Sequence, residues 1–298
     1  MALAKHMRGR RVVISIPMIW MGLLFLLPFL IVLKLSFSEE RLAIPPYAPF
    51  LEWVGGLPHP VLHWNNYAFL FTDPLYVSSY LYSLKVAAVS TLWCLVLGFP
   101  MALTIARARQ PWRNVLLMMV VLPFWTSFLL RVYAWIGLLK HNGVINNVLI
   151  WLGVIHQPIT MLQTDFAVYV GIVYSYLPYM ILPLYANLEK HDPQLLEAAA
   201  DLGARPFKAF LRVTLPQSIP GIIAGSLLVF IPAVGEYVVP SLLGRSDQLM
   251  IGRVLSDEFF ENRDWPVASA VAILMLVLLV APIMLFNHFS EREIEAHK

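Results

Sequence analysis

The sequence predicts an all-α membrane protein with six transmembrane helices, and three observations carry that prediction. Hydrophobic residues make up 59% of the 298-residue chain and charged ones only 13%, with a mean hydropathy of +0.71. That balance is too apolar for a water-soluble surface. The apolar residues gather into six runs, at about 12–35, 79–106, 114–139, 166–188, 219–243 and 267–289. Each is long enough to cross roughly 30 Å of hydrocarbon as a helix. The third observation is charge. Lys5, Arg8, Arg10, Arg11, Arg107, Arg109, Arg113, Lys190, Arg205, Lys208, Arg212, Arg292 and Lys298 all fall on one side of such a bundle. The opposite loops hold only Arg41, Lys140, Arg245, Arg253 and Arg263. The positive-inside rule then places both termini in the cytoplasm.

The elements follow in order. The first run, Val12 to Leu33, carries no charge and has no small-x-small cleavage site before Pro28, so it is expected to remain as an anchor. The outer loop from Ser38 to Ser78 is rich in proline and is expected to be irregular, with at most short helices. Trp53, Trp64, Tyr67 and Tyr76 read singly as interfacial residues, and together as a surface for an extracytoplasmic partner. Cys94, the single cysteine, lies in the second run and excludes an intrachain disulfide. The third run, Asn114 to Leu139, is apolar apart from Arg131. INNVLIWLGVI, in the loop from Lys140 to Asp165, fits a short surface helix. The fourth run, Phe166 to Leu188, carries no charge; the fifth runs from Val213 to Gly235, just before Glu236. Between the fifth and sixth runs, Gln248 to Glu261 fits an amphipathic helix ending in a cluster of Asp257, Glu258, Glu261 and Asp264. Acids outnumber bases on this outer side, which favours a cationic solute. The sixth run, Val267 to Phe289, holds only His288.

Chemistry is excluded more readily than assigned. The chain has no GxxxxGK[ST] loop, no HExxH and no Cys/His cluster with metal spacing, so no catalytic residue, metal or bound cofactor is expected. Nor is a nucleic-acid partner expected; the solvent is the lipid bilayer. Three ionisable side chains do fall in or beside the runs: Lys85, Arg131 and Glu236. Lys85 sits at a helix end and can snorkel to water. An isolated charge in a span costs on the order of 3 kcal/mol on insertion scales, so Arg131 and Glu236 each need a partner, a cavity or a substrate. Glu236 stands in IPAVGEYVVP between Pro232 and Pro240, which loosen the helix and free backbone carbonyls, and broken helices with exposed carbonyls are where membrane transporters bind cations. It either contacts substrate or pairs with Arg131 across the bundle. Trp125, Tyr133, Tyr174, Tyr176, Tyr179 and Tyr237 could line the same path, holding an alkyl diammonium by cation–π attraction, although singly each reads as core packing.

The stretch that organises the rest is DPQLLEAAADLGARPFKAFLRVTLP, from Asp192 to Pro216. Asp192 can cap a helix opening at Pro193, and Leu195, Leu196, Ala199 and Leu202 fall on one face. Gly203 is placed to stop that helix, and Pro206 to open a second. Glu197-Ala198-Ala199, Gly203, Val213 and Leu215-Pro216 match the spacing of the EAA loop, and the chain resembles the ABC importer permeases that carry it. The resemblance implies that Glu197, Ala198, Ala199, Leu202, Gly203 and Arg205 form the coupling contact with a cytoplasmic ATPase. From LPFWTSFLLRVYAWIGLLKHNGVINN through MIGRVLSDEFFENRDWPVASAVAI, and in the N-terminal third, the chain is similar to polyamine permeases, nearest the PotH-type putrescine branch with the PotB type next. That implies a MetI-like fold in the bacterial inner membrane and a heterodimer with a second permease subunit. Two ATPase subunits that use ATP and Mg, and a periplasmic polyamine-binding protein, complete the implied complex. Putrescine is the expected solute, with spermidine or a broader polyamine range as the alternative inside the family. From another class, the alternative is an ion-gradient-driven cation transporter.

Overall fold

The computed structural model describes residues 13–49, 51–54, 57–60 and 62–296. The basic residues Lys5, Arg8, Arg10, Arg11 and Lys298 lie outside them, as do the side chains of Trp53, His288 and Arg292. The chain divides into two compact units, one of residues 1–77 with 255–298 and one of residues 78–254.

In the first unit, α1 (Val13–Ser36) is a long apolar helix with a π-turn at Gly22–Leu26, and the C-terminal helix α13 (Trp265–Ala296) packs along it. The following loop is more ordered than its prolines suggest. Leu51–Val54 (β1) and Leu57–Pro60 (β2) pair as an antiparallel hairpin, and Asn65–Thr72 forms α2. Tyr67, Trp64 and Tyr76 each make contacts within this unit. Tyr67 donates to Ser36 Oγ at 2.8 Å, and Phe37 packs edge-on to Trp64. Tyr76 is buried and donates to Glu258 Oε1 at 2.8 Å. The acids at the end of the expected amphipathic helix are also partly committed: Asp264 Oδ1 accepts from the N–H of Val267, opening α13. Burial pushes the Asp264 carboxyl above its ordinary value, and Glu40 and Glu258 add to that push.

The second unit is built on two helices, α3 (Pro74–Arg107), most of which lies in it, and α7 (Asp165–Leu188). Cys94, Phe99, Ala102 and Ile105 of α3 meet Met180, Ile181, Leu184 and Leu188 of α7 in its core. Between them the expected third span is not one straight helix. α4 (Trp112–Val121) passes into a 3-10 turn at Leu122–Trp125, and α5 (Phe128–Leu139) leaves in a new direction. Trp112–Trp125 and Phe128–Trp151 meet at 92°. The break has a local cause: the Pro123 carbonyl is taken by both the N–H and the hydroxyl of Thr126, and Thr126 itself turns extended, so no continuing helix can use it. α6 (Val144–Trp151) is the short helix expected in the following loop.

The fifth run is also divided. α8 (Gln194–Asp201) and α9 (Pro206–Gln217) precede α10 (Ile219–Val234), which packs along α7 and meets α9 at 65°. α10 stops after Pro232, and α11 (Val238–Leu243) begins beyond a three-residue break. α12 (Ile251–Asp257) then brings Gly252 so close that a Cβ there would lie 2.3 Å from the Gly235 carbonyl oxygen. Only glycine permits that approach of two backbones. Among the described residues α1, α3 and α7 are unbroken helices long and apolar enough to span a membrane. The two bent pairs bring the number to five, and α13 adds the shorter apolar stretch Trp265–Val280.

Candidate functional site

Two features of the second unit qualify, one in the polar connection between α7 and α10 and one at the break in the fifth run. The polar connection forms the compact knob its prolines and glycine predict. Pro193 rather than Asp192 occupies the cap position, but the Asp192 carboxylate still does the capping, accepting from the N–H of Gln194 at 2.9 Å. α8 ends at Gly203, whose φ of +79° puts it in the left-handed region. The N–H of Gly203 bonds the Ala200 carbonyl and that of Ala204 the Ala199 carbonyl, the paired bonds of a Schellman stop. Below the knob, Arg113 bonds the carbonyls of Ala106 and Ala108 at the end of α3 and pairs with Glu189 at 2.9 Å, which fixes the exit of α7.

The knob exposes what a soluble surface would hide. Leu202 is 89% and Phe207 73% exposed, while Glu197, Ala198, Gly203 and Arg205 also face out and Ala199 is half-buried. Leu202 and Phe207 thus give the helix corner an exposed apolar rim.

The second feature is a cavity of about 430 Å³ lined by Phe124, Phe128, Arg131, Ser175, Tyr176, Tyr179, Pro232, Gly235, Glu236, Tyr237 and Val238. Glu236 is only 7% exposed, and its carboxylate is held entirely by neutral donors. Oε2 accepts from the Tyr176 hydroxyl at 2.5 Å, and Oε1 accepts from the N–H groups of Val238 and Val239 at 3.0 and 3.3 Å. The broken helix supplies those two N–H groups, because the first residues of α11 have no preceding turn to bond. These three bonds fix the orientation of the carboxyl group, which stands in the cavity wall.

Arg131 lines the same cavity from α5. Its guanidinium lies 5.4 Å from the centre of the Phe124 ring and 5.7 Å from that of Phe128, and its buried Nε and Nη1 have no hydrogen-bond partner. Among the described residues no ion pair joins it to Glu236. Tyr176 and Tyr179 pack with ring centres 6.0 Å apart, and Phe124 extends the aromatic wall at 5.1 Å from Tyr179.

Of the residues picked out in sequence, Arg131, Tyr176, Tyr179, Glu236 and Tyr237 come together in the cavity. Trp125, Tyr133 and Tyr174 do not line it: Trp125 is 77% exposed, Tyr133 is exposed, and Tyr174 packs against Trp135. Their failure is a matter of helical angle. Tyr133 follows Arg131 by two residues and Tyr174 precedes Tyr176 by two, which turns each to the far side of its helix. Phe128, three residues before Arg131, is the wall residue sequence reading passed over, and the same angle marks it.

Comparison with known proteins adds the family. Residues 95–295 match the family described as binding-protein-dependent transport system inner membrane component. The chain is 40% identical over 289 residues to the spermidine/putrescine transport system permease protein PotB of Haemophilus influenzae, covering 96% of each. It is 41% identical to PotB of Escherichia coli, covering 87% of this chain and 90% of that one. The polyamine permeases are thus the right relatives, but the narrower PotH-type expectation gains no support from these matches. In fold, the chain is similar to the solved structure of a bacterial ABC transporter that imports alginate, with a TM-score of 0.72, 19% identity and coverage of 98% and 99%. The chain belongs to the family of binding-protein-dependent transport system inner membrane components, and is a membrane permease subunit of an ABC importer.

Proposed function

We propose that this permease carries polyamines, spermidine and putrescine, from periplasm to cytoplasm. In this reading six spans cross the inner membrane with both termini inside, and the knob at Gln194–Gln217 couples to one of two ATPase subunits. A second permease closes the other side of the cavity, and a periplasmic binding protein delivers the solute. ATP and Mg are used by the ATPase subunits, and this chain binds neither. The likeness to the PotB proteins over nearly the whole chain supports the solute class.

The observation that carries the reading within this chain is Glu236. Among the described residues no cation pairs with its carboxyl group, which stands at the wall of a cavity lined by Phe124, Arg131, Tyr176, Tyr179 and Tyr237. A primary ammonium meets such a wall twice over, by charge at Glu236 and by the ring faces beside it, while the methylene chain covers apolar surface. Putrescine is the shortest of these solutes and the one this half-cavity is expected to accept most completely.

Uptake of labelled putrescine by cells expressing the full complex tests it. Glu236→Gln keeps the shape and can still accept from Val238 and Val239, so the complex should assemble. Loss of a charged hydrogen bond costs about 1.5–3 kcal/mol, and uptake should fall about tenfold or more. Full activity of Glu236→Gln would remove the carboxylate from the path. Competition by unlabelled spermidine measures the order of preference between the two solutes.

A further inference from the structure

Arg131 and Glu236 present a problem that polyamine binding alone leaves unsolved. Two opposite charges line one cavity without meeting. Glu236 is satisfied by Tyr176 and two backbone N–H groups, whereas the buried Nε and Nη1 of Arg131 have no acceptor among the described residues, and the guanidinium lies against Phe124 and Phe128. Buried donors left without partners are costly, so a conformation that satisfies them is favoured whenever the chain can reach it. A cation beside a polyamine cavity also looks like a defect, because it repels the solute.

Both difficulties disappear if the guanidinium and the solute use the same carboxylate in turn. We propose that Arg131 is an internal substitute for the polyamine ammonium, pairing with Glu236 when the cavity is empty and closed and giving way when an ammonium arrives. The inference rests on Glu236 being the solute carboxylate. The opening between α10 and α11 and the bend before α5 place the two side chains on separate helix segments facing one cavity. Closure of that cavity brings them together without unfolding either. In the empty, closed cavity the pair spares Glu236 an unscreened charge and fills the free donors of Arg131 at once. In this structure Arg131 lies against the faces of Phe124 and Phe128, and those rings are the waiting position it keeps while an ammonium occupies Glu236. Arg131 is therefore a positioning residue that weakens solute affinity and speeds return of the empty carrier.

The test uses the complete complex in lipid nanodiscs and labelled spermidine as probe, with equilibrium binding and ATP turnover measured together. A competing internal occupant lowers apparent affinity in proportion to its population, so removing one that holds the site nine-tenths of the time tightens binding about tenfold. Arg131→Gln should accordingly bind spermidine about tenfold more tightly while turnover with the loaded binding protein slows severalfold. Arg131→Lys, which keeps a charge, should stay near wild type in both. Packing alone predicts no gain in affinity, and loss of simple repulsion predicts a gain without slowed turnover, so either unchanged or weaker binding by Arg131→Gln, or tighter binding with turnover unslowed, overturns the exchange. If Arg131→Gln fails to assemble and Arg131→Lys restores assembly, the acceptor lies on the second permease, and the exchange is equally wrong. Glu236→Gln separates the two readings. Normal spermidine binding by that variant refutes the solute site itself, whereas lost binding with no affinity gain in Arg131→Gln refutes only the exchange.

Discussion

Glu236 depends on the Tyr176 hydroxyl for one of its three hydrogen bonds, and that bond can be removed without touching the carboxylate. Tyr176→Phe keeps the ring against Tyr179 and deletes only the donor. A hydrogen bond to a charged group is worth about 1.5–3 kcal/mol, so the carboxylate should lose orientation and the cavity should hold a solute less well. Putrescine uptake by Tyr176→Phe should fall severalfold with the complex yield unchanged, and wild-type uptake would show that Tyr176 has no part in holding the carboxylate for transport. At this scale the sequence is informative where a residue is chemically out of place. A carboxylate and a guanidinium inside apolar runs stand out, and both do reach the cavity. Aromatics do not stand out in runs already rich in them. Tyr133 and Tyr174 have the same chemistry as Tyr179 and differ in the side of the helix they occupy, while Trp125 ends the 3-10 turn before the break and is exposed. The Glu236–Arg131 pair weighed from sequence is absent here because nearer donors, a hydroxyl and two freed N–H groups, satisfy the carboxylate first.

The knob shows how an element can be read almost whole from its stops. Asp192, Gly203 and Pro206 each have one strong local preference, and the helix ends follow from them to within a residue. Pro232 and Pro240 mark the break at Gly235–Tyr237, but the one at Thr126 is less legible, because proline is tolerated within membrane helices and only the surrounding hydrogen bonds decide whether it kinks or stops one. Pro178 and Pro183 stay inside the continuous α7 while Pro123 and Pro232 precede breaks. The Gly203 corner also separates folding from coupling. A Cβ there meets nothing within 4 Å in this chain, so added bulk is harmless until a partner closes on it. The remaining cost is backbone strain, about 1–2 kcal/mol for most residues but less for asparagine, which tolerates the left-handed region. Gly203→Asn should therefore insert and fold normally yet transport several times more slowly, read as uptake against the amount of permease in the membrane. Wild-type uptake would mean that no partner approaches the corner closely.

At the scale of the whole molecule, transport has a direction, set by which side of the bilayer holds the knob and which holds the loops near Glu236. Charge bias argues that the knob is cytoplasmic, and its basic residues Arg205, Lys208 and Arg212 contribute to that bias. The coupling role proposed for the knob requires the same side, since ATP is hydrolysed in the cytoplasm. The chain is well suited to a direct test because its one native thiol is silent: Cys94 is fully buried in α3. Positions for new thiols follow from exposure. Ser38 is a poor choice despite its place in an outer loop, for it is buried and its hydroxyl bonds the Lys34 carbonyl. Asp247 and Lys140 are exposed on the connections after α11 and α5, and Lys208 is exposed on α9. Asp247→Cys removes the exposed pairing with Arg245 and costs little, since surface ion pairs contribute between nothing and about 1 kcal/mol. In intact spheroplasts a membrane-impermeant maleimide should label Asp247→Cys and Lys140→Cys and leave Lys208→Cys unlabelled until the membrane is opened. An even number of spans requires the two outer positions to agree. Labelling of Lys208→Cys from outside would invert the orientation and take the coupling role of the knob with it, while labelling of only one outer position would show that the number of spans between α5 and α11 is odd.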